Sequence, residues 1–362
     1  MENQATFVIA EAGVNHNGSL EKAMQLIDIA VDAGADAVKF QTFTPHHVIS
    51  VHAQKANYQM ETTDSAESQL DMVKKLQLNE TEHEELLNYC LKKNILFLSS
   101  PFDEGSANFL INKLGVSLIK IPSGEITNAP LLMGIARQQK NIILSTGMST
   151  LGDIEKALGV LAFGYTKQSG VITEGKMESA YYSQAGQAAL QGKVSLLHCT
   201  TEYPAPYESV NLKAMGTIRA AFNLPVGLSD HTLGNTIAIA AVALGATIIE
   251  KHFTIDKNLP GPDHRASLEP LELCNLVKAI RQVEVAMGTT SKIPNQAELA
   301  NRAVARKSLV AACSIKKGEV FSPINITSKR PEAGLSPYAY WRILGSKADR
   351  DYAIDDPIQE SV

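Results

Sequence analysis

Short β-branched apolar runs recur from residue 7 to residue 250, each followed by a stretch whose apolar residues return at helical spacing. Eight runs read as strands, at residues 7–10, 37–40, 95–99, 117–121, 141–145, 194–198, 225–228 and 247–250. Helical patterns lie between them, among them residues 20–33, 81–92, 154–161 and 236–244. Strand–helix alternation predicts parallel strands joined by helices. Eight successive units predict an α/β fold of the (β/α)8 TIM-barrel type. An open doubly wound sheet would carry G-x-G-x-x-G after its first strand. Here Gly13 and Gly18 have the wrong spacing. Residues 164–193 are rich in Gly, Ser and Gln and are expected to form a surface insertion or elaborated loop. The pattern divides the chain into a barrel over 1–287, a linker over 288–303 with one short helix, and a compact β-rich domain over 304–362. So small a tail is near the lower size limit for independent stability and is expected to need a partner surface.

Composition narrows the function. The 362 residues are 44% hydrophobic and carry a formal net charge of -5, with no Lys/Arg block. No nucleic-acid partner and no membrane partner are therefore expected. No apolar run approaches the roughly 18 residues of a membrane span. The start, MENQATFVIAEAG, lacks the charged and apolar regions of a secretory signal. Cys90, Cys199, Cys274 and Cys313 form no C-x-x-C pair. They are expected to be free thiols in a reducing cytoplasm.

A (β/α)8 barrel builds its active site at the C-terminal strand ends, and here those ends are polar. They offer Glu11; Lys39 and Gln41; Ser99 and Ser100; Lys120, Ser123 and Glu125; Ser145 and Thr146; His198; Ser229, Asp230 and His231; Glu250, Lys251 and His252. One such Ser or Thr reads as a helix cap. Eight converging ends must be hydrated, paired or bound to a ligand. Lys39 and Lys120 supply positive charge, and the hydroxyls and turn N–H groups donate to anionic oxygens. This suits a small phosphorylated carboxylic acid. In IKIPSGE, strand alternation puts Lys120 on one face and Ile119 and Ile121 on the other. His231 and His252 follow adjacent strands, a pattern that fits an open divalent-metal site.

The stretches IAEAGVNHNGS, AVKFQTF, SSPFDE, IKIPSGE, ILSTGM, LLHCTTEYPAPYE, GLSDHT and EKHFT, in that order, resemble the sialic acid synthases of the N-acetylneuraminate synthase type. ARKSLVA, KKGEVFS and ITSKRPEAG resemble that family's C-terminal antifreeze-like (SAF) domain. The resemblance implies a phosphoenolpyruvate-dependent, C–C bond-forming transferase that is a domain-swapped homodimer. It assigns the chemistry to Glu11, Lys39 and Lys120, with Glu11 acting on the sugar or the attacking water. Ser100, Ser123, Ser145, Tyr203 and Ser229 join the two lysines in holding phosphoenolpyruvate. Gln41, Glu125 and Asp263 lie on the sugar side, and Arg330 reaches an N-acetyl group across the dimer. His231 and His252 bind the metal, expected to be Mn2+, with Mg2+ or Co2+ as alternatives. Two features depart from the family: Thr201 stands where some members place Asn beside the phosphate, and the 164–193 segment is longer than in several relatives.

The first expectation is condensation of phosphoenolpyruvate with N-acetylmannosamine and water to N-acetylneuraminate and phosphate, with C–O cleavage. The alternative acceptor is 2,4-diacetamido-2,4,6-trideoxymannose, which gives N,N'-diacetyllegionaminate. A Schiff-base pyruvate aldolase using Lys120 or Lys39 is a third reading. An ice-binding tail is disfavoured, because residues 307–362 hold only Thr327 where regular Thr rows are needed.

Overall fold

The computed structural model describes residues 5–64, 66–167 and 170–360. Two compact units emerge, Met1–Gly288 and Thr289–Val362. The first contains eight parallel strands: β1 (Phe7–Gly13), β2 (Ala37–Thr42), β3 (Leu96–Pro101), β4 (Leu118–Ile121), β5 (Asn141–Ser145), β6 (Val194–Cys199), β7 (Val226–Asp230) and β8 (Ile248–His252). Their ladders run β3-β2-β1-β8-β7-β6-β5-β4. β3 packs beside β4, so the ring is a nearly closed (β/α)8 barrel.

Alternation along each strand explains the layers. Val8, Val38, Ile119, Leu144, Val226 and Ile249 face outward into the main core shared with the helices. Ile9, Ala37, Leu98, Ile143, Leu197 and Ile248 face inward and form a separate apolar plug. Two residues further along the strands, side chains return to the same face. There the inward set is polar: Glu11, Lys39, Ser100, Lys120, Ser145, Ser229 and Glu250. The plug is thus the floor on which a polar cavity stands.

Several strands run beyond the expected ends. Glu11, Gln41, Ser229 and His252 are strand residues rather than loop residues. Ladder hydrogen bonds do not depend on side-chain polarity, so an apolar run underestimates a strand whose mouth end is chemical. The first helix, Leu20–Asp32, is capped by Ser19, whose side chain accepts from Lys22 N–H. It buries Ala23, Leu26, Ile27 and Ala30 against the barrel.

The loop expected over 164–193 is in fact largely helical, with helices Glu174–Tyr182 and Gln184–Lys193. Thr173 and Ser183 cap them. Gly186 serves the packing of the two helices: a Cβ there would fall 2.0 Å from the Ala180 carbonyl oxygen.

Gly227 is a second close approach. A Cβ at this position would fall 2.2 Å from the backbone oxygen of Ile248 on β8. Gly227→Ala is expected to destabilise the protein by about 1–3 kcal/mol, read as a lower thermal midpoint.

The second unit begins with helix Gln296–Ala305, capped by Asn295. Arg302 pairs with Glu332 at 3.1 Å. β9 (Ser308–Ala311) pairs antiparallel with β10 (Ile326–Lys329). Leu309, Ile315, Phe321, Ile326, Tyr352 and Ile358 form its small core.

Candidate active site

The polar ring above the plug is dominated by four buried charged groups. Lys39 Nζ lies 2.8 Å from Glu11 Oε2 and 3.7 Å from Glu250 Oε2. It also donates to Ser100 Oγ at 3.1 Å. Lys120 Nζ lies 3.3 Å from Glu250 Oε1, which accepts from Ser229 Oγ at 3.0 Å. Glu250 therefore sits between the two lysines. Both lysines are only 3% exposed, so their charge must be balanced inside the protein.

The two carboxylates respond in opposite directions. Burial pushes Glu11 up to about 7, and Glu250 adds to the rise while Lys39 opposes it. Burial pushes Glu250 up as well, but Lys120 and Lys39 override it and hold the carboxyl down to about 2. Burial lowers Lys120, with partial compensation from Glu250. Burial also pulls on Lys39, yet Glu11 and Glu250 together raise it. The result is two ammonium groups facing one firmly ionised carboxylate and one carboxyl near its titration point. Further negative charge is welcome here. Ser145 Oγ and Glu250 Oε2 are buried without hydrogen-bond partners, and Glu11 Oε2 has only its ion-pair contact with Lys39. Such orphaned atoms mark where a ligand would complete the bonding.

The rim holds the two histidines. Their ring centroids are 5.4 Å apart. His231 Nδ1 donates to the Thr200 carbonyl at 2.7 Å, which leaves Nε2 as the lone-pair nitrogen. That second-sphere bond is the usual orientation of a metal-ligating imidazole. Burial would lower His231, but the Cys199 sulfur at 3.8 Å and the Thr200 carbonyl raise it. Burial and the neighbouring His231 hold His252 well below its ordinary value, so it is neutral. His252 Nδ1 is buried without a hydrogen-bond partner. Among the described residues no three His, Cys, Asp or Glu side chains converge as a ligand set. The chain therefore offers two imidazoles and leaves other coordination positions to ligand and water, which fits an open catalytic metal rather than a structural one.

Tyr203 stacks on His231 with ring centroids 4.1 Å apart, and Tyr58 lies 5.2 Å from Tyr203. Asp263 Oδ2 lies 3.8 Å from His252 Nδ1. Burial raises the Asp263 carboxyl to about 6.

A cavity of about 320 Å3 gathers Glu11, Lys39, Gln41, Ser100, Lys120, Ser123, Ser145, Thr201, Tyr203, Ser229, His231, His252 and Asp263 on one wall system. Ser123 accepts from the Gly147 N–H at 3.0 Å. Glu125 does not line the cavity: its carboxylate accepts from Asn128 Nδ2 at 2.7 Å. Arg330 lies in the second unit and is exposed. His198, a strand-end residue, is held by the Val210 carbonyl at 2.6 Å.

Sequence reasoning placed Glu250 among the polar strand ends but gave it no role in the site. The signal was present, since a residue two before His252 must share its face. It also missed the wall supplied by the β2–β3 connection, namely Tyr58, Gln59, Gln69 and an apolar strip of Phe43, Val48, Ile49, Met72, Val73 and Leu76. Apart from Phe43, the last residue of AVKFQTF, no motif announced these residues. Most come from the short helices Pro45–Val48, Asn57–Thr62 and Gln69–Lys74, with Phe43, Ile49 and Leu76 just outside their ends, and the fold of this segment back over the mouth is a tertiary fact.

Residues 26–292 match the NeuB family, and residues 306–361 match the SAF domain. An N,N'-diacetyllegionaminic acid synthase of Campylobacter jejuni is 52% identical over 98% of this chain and 99% of its own length. One from Legionella pneumophila is 43% identical over 94% of this chain and 90% of its own. The crystal structure of an N-acetylneuraminic acid (sialic acid) synthetase from Leptospira borgpetersenii, in complex with citrate, superposes with a TM-score of 0.66 at 33% identity. It covers 83% of this chain and 90% of that one.

Proposed function

This chain belongs to the NeuB family and carries a C-terminal SAF domain, and from that premise we propose that it condenses phosphoenolpyruvate with 2,4-diacetamido-2,4,6-trideoxymannose to give N,N'-diacetyllegionaminate and phosphate. The sequence motifs put N-acetylmannosamine first. The higher identity to diacetyllegionaminic acid synthases over nearly the whole chain supports the diacetamido sugar instead.

The observation that carries the reading is the cavity's division. Its floor holds Lys39 and Lys120 around Glu250, and its β2–β3 wall is apolar with two amides, Gln59 and Gln69. The floor suits the phosphate and carboxylate of phosphoenolpyruvate. The wall suits a methyl group and an acetamido group better than a row of hydroxyls, which would lose water there without full compensation.

In this reading Lys39 and Lys120 neutralise the two anionic groups and leave C3 of phosphoenolpyruvate exposed. The enol pair at C3 forms the new bond to the acceptor's aldehyde carbon, while the C=O π pair moves onto the aldehyde oxygen, which takes a proton from solvent and becomes a hydroxyl. Positive charge develops at C2, and the oxygen of a water adds there while Glu11 takes the water's proton. The C2–O bond to the phosphate then breaks, phosphate departs with the electron pair, and the C2 hydroxyl gives up its proton to become the product's ketone. Holding both substrates in line supplies much of the advantage. His231 and His252 would hold a divalent ion, Mn2+ in the first instance, which when bound supplies Lewis acidity toward the acceptor's carbonyl oxygen. The reading also includes a homodimer, with Arg330 reserved for the acceptor's acetamido group.

Two measurements test this. With phosphoenolpyruvate and Mn2+, phosphate release is expected to favour the diacetamido sugar over N-acetylmannosamine by about 100-fold in kcat/KM. Equal values, or the reverse order, would overturn the acceptor assignment. Chelation is expected to lower phosphate release by at least about 100-fold, with recovery on adding Mn2+. His252→Ala should fail to recover and should show weakened Mn2+ binding by electron paramagnetic resonance.

A further inference from the structure

We propose that Asn15, Asn17 and His264 form a clasp between the loops after β1 and β8 that positions Asp263 in the cavity. The inference rests on the acceptor-side reading of Asp263 given above. That carboxylate makes no hydrogen bond among the described residues, and the basic side chain within 4 Å of it is the neutral His252, whose Nδ1 lies 3.8 Å away. Nothing at its own tip therefore orients it. Its direction must come from the backbone that carries it.

That backbone is tied at both ends of its loop. Asn15, fully buried, donates through Nδ2 to the Phe253 carbonyl at 2.8 Å and to Ser267 Oγ at 2.9 Å. Ser267 Oγ in turn donates to the carbonyl oxygen of Asp263 at 2.6 Å. One amide thus grips the exit of β8 and, through one hydroxyl, Asp263 itself. Asn15 Oδ1 is left buried without a partner. What the position gains is the pair of N–H bonds, since the amide oxygen contributes only a desolvation penalty.

The second half of the clasp lies three residues ahead of Asp263. Asn17 Nδ2 donates to the Pro260 carbonyl at 2.8 Å, and Asn17 Oδ1 accepts from His264 Nε2 at 3.2 Å. His264 Nδ1 accepts from Thr254 Oγ1 at 2.6 Å. Asn17 has a φ of 51°, left-handed space that Asn tolerates. Gly261 completes the fit, because a Cβ there would come within 2.7 Å of His264 Cδ2 and 2.9 Å of Asn17 Oδ1. β1 and β8 are neighbours in the ring, so the clasp closes over a shared strand pair. These are positioning residues: none of the three lines the cavity.

The test uses Asn17→Gly, which keeps the left-handed backbone, and Asn15→Ala in the full-length protein. Each is expected to raise KM for the acceptor about tenfold, by misplacing one contact, while KM for phosphoenolpyruvate stays within about twofold. Amide hydrogen exchange over residues 253–269 should accelerate, while the strands keep their protection. A purely structural role would move both KM values together. Equal changes in the two KM values, or unchanged exchange over 253–269, would overturn the clasp. If the wild type releases no phosphate with either sugar, the proposed function fails, and the exchange measurement still decides the clasp. If Asn15→Ala does not fold, Asn17→Gly carries the decision.

Discussion

Glu11→Gln is expected to lower kcat by about 100- to 10,000-fold while both KM values stay within about threefold. The amide keeps the shape of the side chain and removes its ability to take a proton. Glu11 is the one carboxyl of the floor held near its titration point, at about 7. Glu250, held down to about 2 by two lysines, is too acidic to serve as a base. The same substitution should reveal a stability effect with a definite sign. Because burial raises the Glu11 carboxyl, its ionisation opposes folding. Below about 4.5 the group is protonated in both states and contributes nothing; above about 7 the opposition is complete. In metal-free protein, Glu11→Gln should therefore melt higher than wild type at pH 8 and show little advantage at pH 4.5. An unchanged kcat would remove Glu11 from the chemistry. A loss of stability growing toward high pH would contradict the electrostatic account.

Glu250→Gln is expected to destabilise the ligand-free protein by about 3–5 kcal/mol, because it strips the shared counter-charge from two buried ammonium groups. Lys120 has Glu250 as its carboxylate partner within 4 Å, and Lys39 keeps Glu11. The loss should shrink when inorganic phosphate is added, since an anion between the lysines replaces the missing charge and stabilises by mass action. By reciprocity the variant should bind phosphate more tightly than wild type. Wild-type stabilisation by Glu250 is present above about 4.5, where the unfolded carboxyl ionises, and is lost as pH falls toward 2. The gap between the two proteins should narrow over that window. Thermal melts with and without phosphate check this, and a gap that ignores phosphate would place Glu250 outside the anion site.

These two residues show what was legible in the chain. Glu11, Lys39 and Lys120 could be read because Glu11 follows an apolar strand run and the two lysines interrupt theirs near the C-terminal end, where the barrel rule gives polar residues a meaning. Glu250 obeyed the same alternation but lay in the unbroken polar run Glu250-Lys251-His252, where only strand geometry separates inward from outward residues. The structure turns Lys251 outward to a buried partner, Asp230, at 2.8 Å. The β2–β3 wall was not legible at all. Its residues are ordinary in type, and their place over the mouth is set by packing of Phe43, Leu76 and Val14 in a small satellite core. The 164–193 segment differs from the expected loop because its Gly, Ser and Gln content is compatible with helices: Ser183 caps one, and Gly186 serves close helix contact.

The central claim is that water adds at C2 of phosphoenolpyruvate and that the C2–O bond breaks. Its most direct test is phosphoenolpyruvate labelled with 18O in the bridging position, turned over with Mn2+ and the diacetamido sugar. Release is followed by 31P NMR of the inorganic phosphate. The account predicts that the label leaves with phosphate and that the product's C2 oxygen comes from solvent. Unlabelled phosphate, with the label retained in the sugar acid, would mean P–O cleavage and would contradict the roles given to Glu11 and the two lysines.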